Sequence, residues 1–278
     1  MIKIRAGYRI SYDCPQPTPM ILTLSVHPSR RGDLITPDHM RIDPHVPATE
    51  YTDRYGNICH VIRAPAGRIT LSTDFRVRDS GETDAVAPDA TQAPLETLPV
   101  DTLVYLLGSR YCETDRLSSF AWSTFGKIPQ GWTLVQAIVD FVHDHVTFGY
   151  PHADVSRTAH DTFVERKGVC RDFAHLAVTL CRCMNVPARY CTGYLGDIGI
   201  PPDPCPMDFS AWFEAYIGDR WYTFDARHNT PRIGRILIAR GRDATDVAIT
   251  TSFGPHTLAE FEVVTDEVKE TEPALSGA

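Results

Sequence analysis

The stretch Asp208–His228, DFSAWFEAYIGDRWYTFDARH, has the pattern of an antiparallel β-hairpin and decides the fold of the C-terminal half. Its two arms are rich in aromatic and apolar residues, and Gly218–Arg220 supplies a short turn between them. Because side chains alternate along a strand, every second residue from Ser210 shares one face. Pairing across the turn places Asp225 opposite Trp212 and diagonal to Ser210, within the roughly 7 to 8 Å that diagonal neighbours span. The hairpin therefore predicts an acid beside position 210.

Upstream of the hairpin the hydrophobic period is that of a helix. Gly131–Val146 and the segment after Gly168 both carry apolar residues at spacings of three and four, and Pro187 ends the second segment. Strand-like segments follow at Ala188–Leu195 and Arg235–Ala239, on either side of the hairpin. Helices followed by antiparallel strands predict an α+β fold, with the helices packed on the sheet.

The N-terminal part alternates with period two instead. Runs of alternating apolar residues begin at Ile2, Leu22 and Ile69, which predicts an antiparallel β-sandwich. Asp79–Pro94 contains one large apolar residue, Val86, and is rich in Ala, Pro, Asp and Thr, as an exposed connection would be. We therefore predict a first domain at residues 1–94, with a linker from about residue 79, and a second domain at residues 95–278 that ends in an acidic tail.

Composition excludes several classes of protein. A hydrophobic content of 43% over 278 residues is enough for a large core, which excludes disorder throughout. The net charge is −8 and no basic stripe is present, so we expect no nucleic-acid partner. No apolar run approaches the roughly 18 residues of a membrane span or resembles a signal peptide. We expect a cytoplasmic protein whose eight cysteines are mostly reduced.

Cys170 is the cysteine whose neighbours in the sequence indicate a chemical role. It stands at the start of a predicted helix, two residues after Gly168, where free N–H groups and the helix dipole favour a thiolate and lower a thiol pKa from about 8.5. It is a candidate nucleophile, and the alternative is a small buried residue at a helix N-terminus. Cys181 and Cys183 lie roughly 200° apart around that helix, so they do not converge on one metal. We predict no metal site.

Three spaced motifs carry a family resemblance. Gly168–Leu176, GVCRDFAHL, is followed by a strand with SAWFE at 210–214 and a return strand with WYTFD at 221–225. This set resembles the transglutaminase-like superfamily of papain-type cysteine enzymes, in its bacterial form with a β-rich N-terminal region. The resemblance covers about residues 95–255. It implies a papain-like core, a nucleophile at Cys170, an acid at Asp225, a protein or peptide substrate and no cofactor.

The sequence departs from the family at the general base. The family places a histidine directly before Ala-Trp, and this chain has Ser210 there. In the family that imidazole activates the thiol and protonates the leaving amine, which a serine hydroxyl cannot do near neutral pH. His228 could replace it if the chain bends after Asp225, and Asn229–Pro231 favours such a bend.

Other histidines and aromatic residues are weaker candidates for the site. His175 is predicted to point away from the thiol, because five residues along a helix correspond to a rotation of roughly 140°. His152 and His160 lie in a polar segment that leads towards the Cys170 helix. Tyr150 and Trp212 are the aromatic residues that we expect to line the cleft.

Two functions follow from this pattern. The first is a cysteine enzyme that carries out acyl transfer, or amide or peptide hydrolysis, through a thioester on Cys170. The second is a catalytically impaired or inactive homologue that acts as a peptide-binding or scaffolding module, which Ser210 favours. A third possibility is transfer from an already activated ester or thioester, for which the missing base matters less than the roughly 10²- to 10⁴-fold expected for an amide.

Overall fold

The fold is α+β, as predicted. The computed structural model describes residues 1–202 and 206–269; Cys205 and the end of the predicted acidic tail lie outside these ranges. The strands are β1 (Ile2–Cys14), β2 (Thr18–Leu22), β3 (Arg41–Asp43), β4 (Ala48–Thr52), β5 (Ile58–Ala64), β6 (Gly67–Asp79), β7 (Thr147–Phe148), β8 (Lys167–Gly168), β9 (Ala188–Tyr194), β10 (Ser210–Ile217), β11 (Arg220–Phe224), β12 (Ile236–Gly241), β13 (Thr250–Ser252) and β14 (Thr257–Glu267). The α-helices are α1 (Thr114–Phe125), α2 (Trp132–His145), α3 (Ala159–Glu165) and α4 (Cys170–Cys183).

The N-terminal strands form two antiparallel sheets, with strand orders β14-β1-β6-β3 and β13-β2-β5-β4. The long central pair, β1 and β6, is in register with Ile4 opposite Val77 and Ile10 opposite Leu71. All four of these side chains are buried between the sheets. The alternation read from the sequence is therefore the inward and outward alternation of a sandwich.

Two strands from the end of the chain complete this sandwich. β14 pairs with β1, with Tyr8 opposite Val263, and β13 pairs with β2. The predicted tail from Glu260 is thus a strand as far as Glu267, because alternate residues such as Val263 face the core while the acids face outwards. The division of the chain near residue 94 stays a prediction.

The helical part is built around a second sheet, of order β11-β10-β9-β12. α4 packs against β9 and β10, and α1, α2 and α3 pack around α4. The hairpin of β10 and β11 has Phe213 opposite Phe224, so its register, continued by one residue, brings Asp225 opposite Trp212 as predicted. None of the helices in the described ranges is long and apolar enough to cross a bilayer.

The sandwich and the second sheet share one core. Tyr194 of β9 and Ile236 of β12 belong to the same buried cluster as Ile4 and Phe75 of the sandwich. The rings of Phe75 and Tyr194 meet edge to face, with 5.6 Å between their centroids. This packing fixes the strand ends that carry the candidate site.

Gly193 allows β9 and β12 to approach closely. A Cβ atom at this position would lie 2.1 Å from the backbone oxygen of Ile236, which is far inside van der Waals contact. We expect Gly193→Ala to lower the free energy of unfolding by more than about 2 kcal/mol, because the sheet has to open at this point. Urea unfolding would measure the change.

Gly32→Ala is the matched control for this substitution. A Cβ atom there would meet no heavy atom within 4 Å. We expect its free energy of unfolding to stay within about 0.5 kcal/mol of the parent. Equal losses in the two variants would contradict the close approach at Gly193.

Candidate active site

The start of α4 is fixed by a buried carboxylate. Asp172 accepts a hydrogen bond from the backbone N–H of Val169 at 2.8 Å, and its side chain is fully buried. Arg157 and Arg171 flank this carboxylate, with nitrogen to oxygen distances of 3.5 and 3.3 Å. A Cβ atom at Gly168 would lie 2.6 Å from the Asp172 side chain, so only glycine fits this approach. These contacts hold Cys170 at the first position of the helix.

Cys170 opens on a cleft between the start of α4 and the start of β10. The residue is half-buried, whereas the six other cysteines within the described ranges are buried. Ser210, Asp208 and Arg227 contribute to the same cleft. The other residues of its lining are Tyr150, Ala153, Val169, Leu195, Asp197, Pro206, Met207 and Phe209. Cys170 is therefore the thiol that a substrate in this cleft would meet.

The thiol of Cys170 is not activated in this arrangement. Burial raises its pKa, the Asp208 carboxylate raises it further, and Arg227 and the backbone N–H of Ala211 lower it, which leaves the pKa at about 11. The expectation of a lowered pKa is wrong, because burial and the Asp208 carboxylate raise the pKa by more than Arg227 and the Ala211 N–H lower it. At neutral pH the sulfur is a thiol.

Ser210 is the first residue of β10. It is buried, it lies opposite Gly193 of β9, and its backbone oxygen accepts a hydrogen bond from Thr192 Oγ1 at 3.2 Å. The structure thus brings Ser210 and Cys170 to one cleft. Its hydroxyl does not titrate near neutral pH, so this position supplies no general base.

Asp225 is a buried carboxylate with an arginine and a histidine as partners. Its Oδ2 accepts hydrogen bonds from Arg235 Nη2 at 2.9 Å and from His228 Nδ1 at 2.8 Å. Its Oδ1 accepts the backbone N–H groups of Arg227 and His228 at 3.0 and 3.1 Å. Burial alone would raise the pKa of Asp225, but the Arg235 charge and the His228 contacts hold it well below its usual range. The carboxylate is ionised at any pH near neutral.

The chain bends directly after Asp225, which is the condition under which His228 was a candidate base. Asn229 has a φ of 49°, and its N–H donates to the backbone oxygen of Asp225 at 2.8 Å. The bend returns the imidazole of His228 to the Asp225 carboxylate, and the side chain of His228 is 24% exposed. Nδ1 is occupied by Asp225, so Nε2 is the nitrogen that can exchange a proton. Across residues 1–202 and 206–269, no hydrogen bond joins His228 to Cys170.

The remaining histidine candidates lie away from the thiol. His175 is fully buried, stacks on Tyr111 with 5.1 Å between ring centroids, and accepts a hydrogen bond from the backbone N–H of Ala244 at Nε2. Its predicted direction, away from Cys170, agrees with these contacts. His152 and His160 are absent from the described lining of the cleft.

The two aromatic residues that we expected to line the cleft, Tyr150 and Trp212, lie in different cavities. Tyr150 lines the Cys170 cleft, where it is 38% exposed. Trp212 is buried and lines a different cavity, with the Arg235 guanidinium 5.0 Å above its ring. The expectation that Trp212 lines the Cys170 cleft is wrong, because this indole packs beneath Arg235.

Sequence reasoning missed two charged residues of the cleft, Asp208 and Arg227. Asp208 precedes Ser210 by two positions, and Arg227 follows Asp225 by two positions. Residues two apart on a strand share a face, so this spacing was the available signal. Both residues lie just outside the strands, so the alternation of side chains along a strand does not firmly predict which way they point.

Comparisons with known proteins identify the relatives of this arrangement. Residues 123–226 match the family model described as the transglutaminase-like superfamily. A crystal structure described as that of a candidate cysteine protease from Cytophaga hutchinsonii has 30% sequence identity and a TM-score of 0.82, and the match covers 98% of this chain and 92% of that chain. The uncharacterized protein ML0607 of Mycobacterium leprae is 24% identical over 216 residues, which are 73% of this chain and 76% of that protein.

The raised pKa of Cys170 gives a testable pH dependence. Because only the thiolate is alkylated, we expect the rate of reaction with iodoacetamide to keep rising up to a pH of about 11. Near pH 7 the rate should be roughly 300-fold below that of an unperturbed thiol with a pKa of about 8.5. Mass spectrometry of the Cys170 peptide would measure it, with Cys170→Ser as the control. A midpoint at pH 8.5 or below would contradict the structure.

Proposed function

The chain belongs to the transglutaminase-like superfamily, and on this premise we propose that it is a cysteine enzyme that carries an acyl group as a thioester on Cys170. The observation that supports this function is the position of the thiol. Cys170 is the one cysteine in the described ranges that is not buried, and it stands at a helix N-terminus on a cleft. The acyl group would come from a protein or peptide.

The His228–Asp225 pair supports a working base in this proposal. In a cysteine or serine triad, the acid holds one imidazole nitrogen so that the other can take the proton of the nucleophile. Asp225 holds Nδ1 of His228 in this way. Catalytic hydrogen bonds often tighten only when substrate is bound, so Nε2 of His228 is our candidate acceptor for the Cys170 proton.

In the proposed reaction, the acyl group moves to the Cys170 sulfur while one proton passes through His228. His228 Nε2 takes the proton of the Cys170 thiol while the sulfur attacks the acyl carbon, so an S–C bond forms and the bond to the leaving group breaks. The imidazolium then returns the proton to the leaving group. The backbone N–H of Ala211, which already stabilises negative charge at the sulfur, is a candidate donor to the developing oxyanion. Water or an amine finally attacks the thioester carbon, the S–C bond breaks, and His228 Nε2 takes the proton of the attacking group and returns it to the sulfur.

The substrate preference follows from the thiol. A nucleophile with a pKa of about 11 is rarely ionised at neutral pH, and an amide needs a proton on its leaving amine. Activated esters and thioesters do not need that proton. We therefore propose that esters and thioesters react faster than amides of the same acyl group.

A matched set of acyl substrates tests this function. We expect the parent protein to cleave a peptidyl thioester or a 4-nitrophenyl ester, and Cys170→Ser to abolish that cleavage. His228→Gln should lower kcat by about 10²-fold, because the proton acceptor is lost while a donor to Asp225 remains. Asp219→Asn, an exposed acid in the turn of the same hairpin, is the control and should keep the parent rate. Parent-level cleavage by Cys170→Ser would refute the proposal.

The second candidate is a peptide-binding module without turnover. It is favoured by Ser210, which stands in the cleft where the family has its histidine, and by the protonated state of Cys170. In this alternative the cleft still holds a peptide, but no group moves the proton. The two candidates differ in what an imidazole at position 210 would do.

Ser210→His separates these candidates. If the site lacks only a general base, we expect amidase activity to appear in this variant where the parent has none, because Ser210 and Cys170 line the same cleft. Amide hydrolysis followed by released amine is the measurement, and Ser210→Ala, which adds no imidazole, should show no gain. An inert Ser210→His variant that folds normally would mean that more than the base differs from an active enzyme.

A further inference from the structure

We infer that Asp208 makes the Cys170 cleft selective for substrates that carry a positive charge beside the reacting acyl group. The inference deepens the proposed function, because it names a substrate class for the same site. It concerns a group that stays protonated, such as an ammonium or a guanidinium, and not the amine that attacks an acyl-enzyme. It depends on where the Asp208 carboxylate lies and on what its neighbours do.

Asp208 presents an open carboxylate oxygen at the mouth of the cleft. The residue is exposed and lies two positions before β10, on the same cleft as Cys170. Its Oδ1 accepts the backbone N–H of Phe209 at 2.6 Å, which fixes the carboxylate. Over the part of the chain that the structure describes, Oδ2 accepts no hydrogen bond and Asp208 forms no salt bridge. One oxygen is therefore held in place and one remains open to a ligand.

The other charged groups of the cleft each contact a partner, and the charge of Arg227 also acts on Cys170 and Asp208. Asp197 lies 3.5 Å from the guanidinium of Arg232, which is itself buried. The guanidinium of Arg227 lies 3.7 Å from the centre of the Phe148 ring, where cation–π contact holds it. Asp208 is thus the acid in this cleft whose charge a bound cation could balance.

A cation at Asp208 would also act on the sulfur. The Asp208 charge is the largest electrostatic cause that raises the pKa of Cys170. A positive group bound to Asp208 would cancel that repulsion. The pKa of Cys170 would then fall, and a larger fraction of Cys170 would be thiolate when such a substrate is present. The substrate would then help to create the nucleophile that attacks it.

Charged thiol reagents test the inference without any turnover. A methanethiosulfonate reacts when the Cys170 thiolate attacks its sulfenyl sulfur, so a new S–S bond forms and methanesulfinate leaves. The 2-aminoethyl reagent is cationic and the 2-sulfonatoethyl reagent is anionic. The ratio of their rates at Cys170, each divided by its rate with 2-mercaptoethanol, cancels the thiolate fraction. It therefore reports the charge of the cleft alone.

We expect this ratio to exceed unity by about tenfold in the parent protein at low salt, as one nearby carboxylate would produce. Asp208→Asn should lower it by about fivefold, and Asp208→Lys should bring it below unity. Asp219→Asn removes the same charge at the far end of the hairpin and should leave the ratio unchanged. Mass spectrometry would assign the label to the Cys170 peptide.

A second measurement compares three esters of one acyl chain, with an ammonium, a neutral or a carboxylate group next to the carbonyl. The parent should prefer the cationic ester in kcat/KM, and Asp208→Asn should remove the preference. A reagent ratio near unity, or one that Asp208→Asn does not change, overturns the inference. If the ratio behaves as expected while none of the esters is cleaved, the charge selectivity stands and the proposed acyl transfer fails.

Discussion

The candidate site depends on one buried ion pair, between Asp225 and Arg235. Both side chains are almost fully buried, with 3% and 7% exposure, and their closest atoms are 2.9 Å apart. Removing one partner of such a pair typically costs about 3 to 5 kcal/mol, because the other charge stays buried. Arg235 also binds Asp84 at 2.9 Å. One guanidinium therefore connects the segment after the sandwich to the end of β11.

This pair determines where an imidazole can stand. Asp225 uses Oδ1 to accept two successive backbone N–H groups, which turns the chain, and the turn carries His228 back to Oδ2. In the family, the same carboxylate orients a histidine at the position that Ser210 occupies here. In the proposed mechanism the acid is Asp225, as in the family, and its imidazole partner is His228, from the segment that follows the acid. A change of base position of this kind leaves the sheet and the helix unaltered, because it uses a turn outside both.

Local pattern was enough to predict α2, α4, the long strands β1 and β6 and the hairpin register, because these follow from periods of two and 3.6 residues, but it did not predict α1 or α3. The position of Cys170 at the start of α4 followed for the same reason. The return of β14 to the sandwich could not be predicted, since its partner β1 lies about 250 residues away and its acids suggested a tail. The pKa of Cys170 was predicted in the wrong direction for a similar reason. Burial is the largest cause that raises it, and the carboxylate that adds to the rise, Asp208, comes from a segment far along the chain from α4.

The protonation of the Cys170 thiol near pH 7 affects when the cleft can react. Raising the pKa of Cys170 to about 11 makes ionisation near pH 7 unfavourable by several kcal/mol, since each pKa unit corresponds to about 1.4 kcal/mol. Two groups offset this cost in the proposed mechanism, the imidazole of His228 and a positive charge bound at Asp208. Within the described residues, neither His228 nor Asp208 forms a hydrogen bond with the Cys170 sulfur. In the proposed mechanism, the nucleophile is therefore formed together with the substrate complex.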